Sequence, residues 1–326
     1  GYAFIATGTL NMADLADQLA AVGYDAALVQ AAFALMVVGL FVKVAVFPLH
    51  AWQPDAYAGS PDSVSALISA LVSTVAAYAL IRIVYTVFTV EFLQANPAAR
   101  SLLVAGAVVS IVFGSVLAVS QTEIKAMLAY SSVSQFGLVV GAVALANETA
   151  LIGATIHLVG HAVMKGGLFL TAGLIATATG ARTVDDYEGL IQRLPLGAGA
   201  FALLALAMVG VPPAVGFVGK WYIALGAVEA SAWPLAVVIL ASTLLTLAYF
   251  ARILERMFFR DADEERRSSE ADEAAAATTA AADGGGDRPS IGMTALVVVA
   301  AVAAVALGVL AFEYGQLLEP TVQALL

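Results

Sequence analysis

The sequence predicts an all-α, polytopic membrane protein with about eight transmembrane helices. Three observations point there. Apolar residues make up 61% of the 326-residue chain and charged ones only 12%, with a mean hydropathy of +0.93, far outside the range of soluble globular proteins. Apolar runs recur at lengths near 20 residues, enough to cross roughly 30 Å of hydrocarbon at about 1.5 Å per residue. Of the four lysines, Lys43, Lys165 and Lys220 lie inside such runs, whereas lysine ordinarily sits in water.

Taken in order, the chain starts at Gly1 with a short apolar stub ending near Leu10 and no secretory-signal pattern. We therefore expect a fragment or processed piece, with residues 1–27 forming the end of an upstream helix and a surface segment. Asn11 to Asp25 reads as amphipathic, with Leu15, Leu19 and Val22 on one face. The first full span is predicted over about Leu28 to His50, closing in a loop bracketed by Pro48 and Pro54, with Trp52 and Tyr57 suited to the membrane interface. Ser60-Pro61-Asp62 then starts a helix through N-cap chemistry, and this helix continues to about Val90. Further spans are expected at about Arg100 to Val119, Glu123 to Leu145, Thr149 to Thr179, Gly197 to Val228, Pro234 to Phe259 and Ser290 to Tyr314.

The Gly197–Val228 span contains its own break. Gly210, Pro212, Pro213 and Gly216 remove backbone donors and loosen the helix just before Lys220. Unwound backbone at membrane depth survives only where it is buried in protein or lines a cavity.

The acidic run Asp261 to Asp287 supplies most of the net charge of −10, and the cytoplasmic loop predicted around it, over 260–289, is expected to be disordered. Lysine-poor, acid-rich exposed sequence suggests a halophile, with a high-salt cytoplasm. If the end near His50 is inside, Lys125, Arg182, Arg193, Arg252, Arg256, Arg260, Arg266 and Arg267 are inside as well, and Arg100 is outside. The protein is placed in the plasma membrane.

Cysteine is absent, which excludes disulfides, thiolate zinc sites and iron–sulfur clusters within the chain. No Walker loop, dinucleotide fingerprint or nucleophile elbow is present. We expect no cofactor, no metal and no nucleic acid partner, and energy from an ion gradient or a neighbouring subunit. The chain is read as a transporter subunit and not as an enzyme in itself.

The most informative stretch is His157 to Gly173. At about 100° per residue, positions 157, 161 and 165 fall within roughly an 80° arc of one helix face. A charge at mid-membrane costs about 2.5–3.5 kcal/mol on insertion scales, so such groups normally line a cavity or ion path. His157 and His161 have the four-residue spacing of zinc ligands, but residue 158 is Leu and no third ligand is near. Two satisfied core histidines are the bland alternative; a proton relay suits imidazole chemistry better. Desolvation brings a lysine's proton affinity towards neutrality, so a row of such groups conducts protons with electrostatic coupling. Lys43 and Lys220 are read as functional over snorkelling, while His50 is either a gate for protons or an interfacial side chain.

These residues resemble a known family: the antiporter-like subunits shared by complex I-type oxidoreductases, membrane-bound hydrogenases and Mrp-type cation/proton antiporters. The resemblance rests on Ala6–Asn11, Lys43–Asp55, Val64–Leu67, Lys125–Gln135, His161–Lys165 and Gly210–Lys220. It implies inverted repeats, each with a broken helix, and so residues 28–119 as the remainder of a first repeat and start of a second, 120–259 as the second repeat with its polar axis, and 290–326 as a C-terminal transmembrane helix. Lys43 and Lys220 resemble the two broken-helix lysines, and Lys165 the central lysine joining two half-channels, with His157 and His161 as relays. Thr74 stands where many members carry a lysine, so Ser73, Thr74, His50 and Asp55 are the gate or relay candidates of the first half. A carboxylate paired with Lys43 is expected upstream of Gly1. The Gly216–Tyr222 run with Arg252–Phe259 looks most like the D-type subunit of Mrp antiporters, which implies a proton-conducting subunit of a sodium/proton antiporter complex. The implied partners are other membrane subunits, lipid, protons and sodium, and the runner-up is a proton-pumping membrane-arm subunit of a complex I-like enzyme or hydrogenase.

Overall fold

A computed structural model describes residues 1–260 and 290–326. Apart from Arg260, the acidic loop predicted over 260–289 lies outside them. The described chain is all-helical, with one isolated antiparallel bridge between Glu123 and Thr183. Two short helices, α1 (Tyr2–Thr7) and α2 (Met12–Val22), precede the first span. The Asn11 side chain caps α2, and Leu15 and Leu19 are buried, but Val22 is exposed, so the apolar face is narrower than expected.

Ten further helices of eight or more residues follow among the described residues: α3 (Ala27–Val44), α4 (Trp52–Gly59), α5 (Asp62–Ala95), α6 (Pro97–Ser120), α7 (Ile124–Leu145), α8 (Glu148–Thr179), α9 (Pro195–Val209), α10 (Val215–Glu229), α11 (Trp233–Phe259) and α12 (Ile291–Gln323). Seven of them, α3, α5, α6, α7, α8, α11 and α12, are long and apolar enough to cross a membrane. The eighth predicted span is present as two half-helices, α9 and α10, joined by the 210–214 break. The protein is a polytopic all-α membrane protein.

The first break lies elsewhere than the sequence predicts. Instead of running to His50, α3 stops at Val44, where Ala45 takes a left-handed conformation (φ 62°), and α4 resumes at Trp52. The Trp52 indole donates back across the gap to the Val42 carbonyl at 2.8 Å. The 45–51 segment sits deep: the Phe47 amide donates to Ser110 Oγ in the middle of α6 (2.8 Å), and the His50 ring lies 6.1 Å from that of Tyr130. His50 is therefore part of a broken helix and does not mark the inner boundary. The boundary comes after α4, at Ser60–Asp62.

That end is defined by charge. Buried Lys125 donates to the Ser60 carbonyl (2.5 Å) and to Asp62 (2.9 Å), with Arg182 3.9 Å from the same carboxylate. Arg252 donates to the Gln121 carbonyl, and Arg256 pairs with Glu188 and Asp185. Arg100 instead bonds the Ala144 carbonyl at the opposite end. Lys125, Arg182, Arg252 and Arg256, predicted to share a side, thus gather at one end of the bundle, while Arg266 and Arg267 lie outside the described residues.

Asp62→Asn leaves the Lys125 ammonium buried beside a neutral amide. Breaking one side of a buried pair costs about 3–5 kcal/mol; with Asp62 21% exposed, we expect roughly 2 kcal/mol. The measurement is the thermal midpoint of the solubilised protein. Asp62→Asn/Lys125→Met should recover much of the loss, and equal midpoints for wild type and Asp62→Asn would refute the pair's contribution.

The core is α7, whose residues are all buried except Ala126 and Tyr130. Helix α8 packs against it, and α12 runs over the second break, where Gly308 lies on the backbone of Pro213 and Ala214 with no room for a Cβ. Helix α12 covers the break on this side, while Val211, Pro212 and Pro213 are exposed on the other.

Candidate functional site

Helix α8 carries the site. It starts at an Asn147 cap, whose side chain accepts from the Ala150 amide (2.8 Å), has Glu148 in its first turn, and ends at Gly180 in the left-handed region (φ 75°). This local chemistry satisfies orphan backbone groups at both ends of a 32-residue helix and so fixes where it starts and stops. The predicted polar stripe faces inward: His157, His161 and Lys165 are each 1% exposed or less.

Lys165 is held from α7, donating to the Leu128 carbonyl (2.6 Å) and to Ser131 Oγ. One turn further along α7, Gln135 is buried with both amide atoms unpartnered, and Phe136 lies against His161 with ring centroids 4.6 Å apart. Neither ring nitrogen of His157 or His161 has a partner, and the two rings are 6.3 Å apart. At the far end of the stripe α10 crosses closely: a Cβ on Gly219 would meet His157 Cβ, Cα and N at 2.8–3.0 Å. The next residue, Lys220, reaches back over the break and donates to the Met208 (2.7 Å) and Val209 (3.1 Å) carbonyls. Those are the free carbonyls at the C-terminus of α9, the negative end of its dipole, which suits an ammonium.

On its other side α8 meets the first broken helix. Phe169 packs edge-on against Tyr57 at 5.5 Å, and Tyr57 belongs to a buried trio in which Gln53 donates to Tyr57 (2.9 Å) and Tyr57 and Ser73 share a hydrogen bond (2.9 Å). A π-helical segment over Ile68–Val72 shifts the register of α5 just before Ser73, an irregularity common at functional sites. Ser73 is thus the buried hydroxyl of the pair, while Thr74 is half-buried with its own hydroxyl enclosed and unpartnered.

Three sequence-predicted residues stand elsewhere. Lys43 is exposed, in the last turn of α3, because the helix ends one residue beyond it and not at His50. Asp55 is exposed on the outer face of α4. His50 is buried, stacked on Phe47 at 5.0 Å with Nδ1 unpartnered, but at the break and away from the α8 stripe. Sequence reasoning missed Ser131, Gln135, Gln53 and Tyr57. The available signal was a run of hydroxyls and an amide, Ser131 to Gln135, inside an otherwise apolar helix. Among the described residues no cluster of three or more metal-ligating side chains occurs.

Comparison with known proteins identifies the family and the fold. The family described as NADH:quinone oxidoreductase/Mrp antiporter, TM, matches residues 2–246. The chain is 45% identical over 262 residues to the N subunit of the NADH-quinone oxidoreductase of Desulforudis audaxviator, covering 80% of this chain and 51% of that protein. It is 31% identical over 264 residues to the D component of the Na(+)/H(+) antiporter of Bacillus subtilis, covering 81% and 52%. A chain in the structure of the membrane-bound sulfane sulfur reductase, an archaeal respiratory membrane complex, superposes with a TM-score of 0.83 at 28% identity, over 99% of this chain and 61% of its own. The chain spans about half the length of the curated relatives it matches. Lys220 and the Gly216–Tyr222 run therefore do not single out the antiporter branch. The chain belongs to the NADH:quinone oxidoreductase/Mrp antiporter transmembrane family.

Proposed function

We propose that this chain conducts protons as a membrane-arm subunit of a redox-driven, complex I-like assembly in the cell membrane, with other membrane subunits as its partners. The observation that carries the reading is the enclosed line Lys165–His161–His157 ending against Lys220. Unpartnered buried imidazole and amide atoms each cost about 1–3 kcal/mol, which water relieves, and water between His157, His161 and Gln135 makes a continuous proton wire. Two lysines on one wire repel when both are charged, so loading one end favours release at the other. The Gln53–Tyr57–Ser73 trio, next to Phe169, is the hydroxyl-lined approach from the first half, with Thr74, His50, Asp55 and Lys43 towards its outer reaches. Lys43's exposed position suits pairing with a group outside the described residues.

The redox-driven branch is favoured over the antiporter by 45% identity to an oxidoreductase N subunit against 31% to an antiporter D component. The second reading, proton-coupled sodium exchange, keeps the same wire. Sealed vesicles bearing the whole complex separate the two. We expect NADH-driven acidification that needs no sodium. Proton movement driven by a sodium gradient without an electron donor would transfer the chain to the antiporter branch, and no proton movement under either condition would overturn both.

A further inference from the structure

Apart from the α8 stripe, the membrane part buries a row of hydroxyls on α11: Ser242, Thr246 and Tyr249, each 2% exposed or less. Two are satisfied within their own helix, Ser242 donating to the Ile239 carbonyl (2.8 Å) and Thr246 to the Ser242 carbonyl (2.7 Å). Tyr249 differs. Its hydroxyl lies beside Thr246 and Ser131 and closes a hydrogen bond to neither, while its ring packs on Phe250 at 4.8 Å. Phenylalanine would fill the same space without a buried polar atom, so the hydroxyl asks for an explanation. Ser131 is the side chain that receives the Lys165 ammonium.

We propose that Tyr249 is a positioning residue for Lys165, acting through Ser131; this rests on Lys165 being a proton carrier. When Lys165 is charged, it donates to Ser131 Oγ and the Leu128 carbonyl, and the Ser131 proton points to the Leu128 carbonyl 3.0 Å away. When Lys165 has passed its proton on, its lone pair needs a donor. Ser131 turns its O–H onto Nζ, and the Tyr249 O–H donates to the Ser131 oxygen that has just lost its other partner. The only proton transferred is the one leaving Lys165; the two hydroxyl protons rotate and stay on their oxygens. Tyr249 thus favours the neutral lysine and eases proton release.

The titratable groups around Lys165 are His161 and His157 on α8, Lys220 on α10, Tyr57 on α4 through Phe169, and Asp62 at the start of α5 against Gly173. Helix α9 carries none; on α7, Lys125 pairs with Asp62 and Tyr130 neighbours His50; on α12, Glu313 and Tyr314 lie in a groove with Ile156. Among the described residues, none of these other groups bonds Ser131.

The test is Tyr249→Phe in the whole complex in sealed vesicles, read as proton transport against pH. Loss of one hydrogen bond to the neutral state lowers transport near neutral pH about fivefold. It also moves the half-maximal pH upward by about 0.7 unit, the same factor on the pH scale. Ser131→Ala removes the acceptor of the charged lysine as well as the donor to the neutral one, so it serves as the background: adding Tyr249→Phe to it should change nothing further. An unmoved pH profile, or losses that multiply, would overturn the role; if Tyr249→Phe fails to assemble, Tyr249→Met replaces it in the same comparison. Lys165→Met is run alongside. Normal transport there removes the proton-carrier reading itself, whereas a dead Lys165→Met with a wild-type-like Tyr249→Phe removes only the inference about Tyr249.

Discussion

In the intact complex, Lys165→Met is expected to reduce proton transport to the level of vesicles lacking the complex, while assembly and thermal stability stay unchanged or improve. Methionine keeps the unbranched stem and most of the volume, so the packing between α7 and α8 survives. What disappears is a fully buried ammonium held by one carbonyl and one hydroxyl. Replacing a buried charge by an apolar group of similar size is often neutral or stabilising. The two readouts therefore separate chemistry from structure: transport falls although the protein is no less stable. Transport at the wild-type rate would sink the assignment of α8 as the proton path.

Gly219→Val should have the second largest effect, through geometry and without replacing any ionisable residue. A Cβ at this position would lie 2.8–3.0 Å from the backbone and Cβ of His157, closer than real carbon contacts allow, and a branched side chain adds more. Helix α10 must move off α8 at the level where Gly219, the residue before Lys220, meets His157. Overpacking of this kind costs about 1–3 kcal/mol, so the thermal midpoint should fall and transport should drop with it, because Lys220 is carried away from the stripe. Gly39→Val on α3 is the control, since nothing stands within 4 Å of a Cβ there. Indistinguishable behaviour of the two variants, by melting and by transport, would show that the α8–α10 crossing is not close in the working protein.

Much of this arrangement can be read along the chain. The membrane class, the eight crossings and the second break follow from composition, run length and the Gly210–Gly216 punctuation. The inward stripe follows from spacing: residues four apart on a helix share a face, and three ionisable groups on one face of an apolar helix have nowhere to go but inward. The gathering of Lys125, Arg182, Arg252 and Arg256 at one end follows from their positions in the short loops.

Other features needed the packed structure. Where all sides of a helix are apolar, as along α3, sequence does not say which side faces protein, and so Lys43 reads as buried when it is exposed. The depth of the first break is hidden because Pro48 and Pro54 punctuate an interfacial loop and a mid-membrane break in the same way. Thr74 stands out by resemblance, yet the π-helical segment before it turns Ser73 into the buried position.

The sequence by itself determined which residues carry charge inside the membrane and that three of them share the α8 face. Only the tertiary structure decided their partners: the Leu128 carbonyl and Ser131 for Lys165, the carbonyls at the end of α9 for Lys220, and Gly219 against His157. The physical reason is that a helix sets the spacing of its own side chains through local hydrogen bonds. What those side chains meet depends on how separate helices rotate and close on one another.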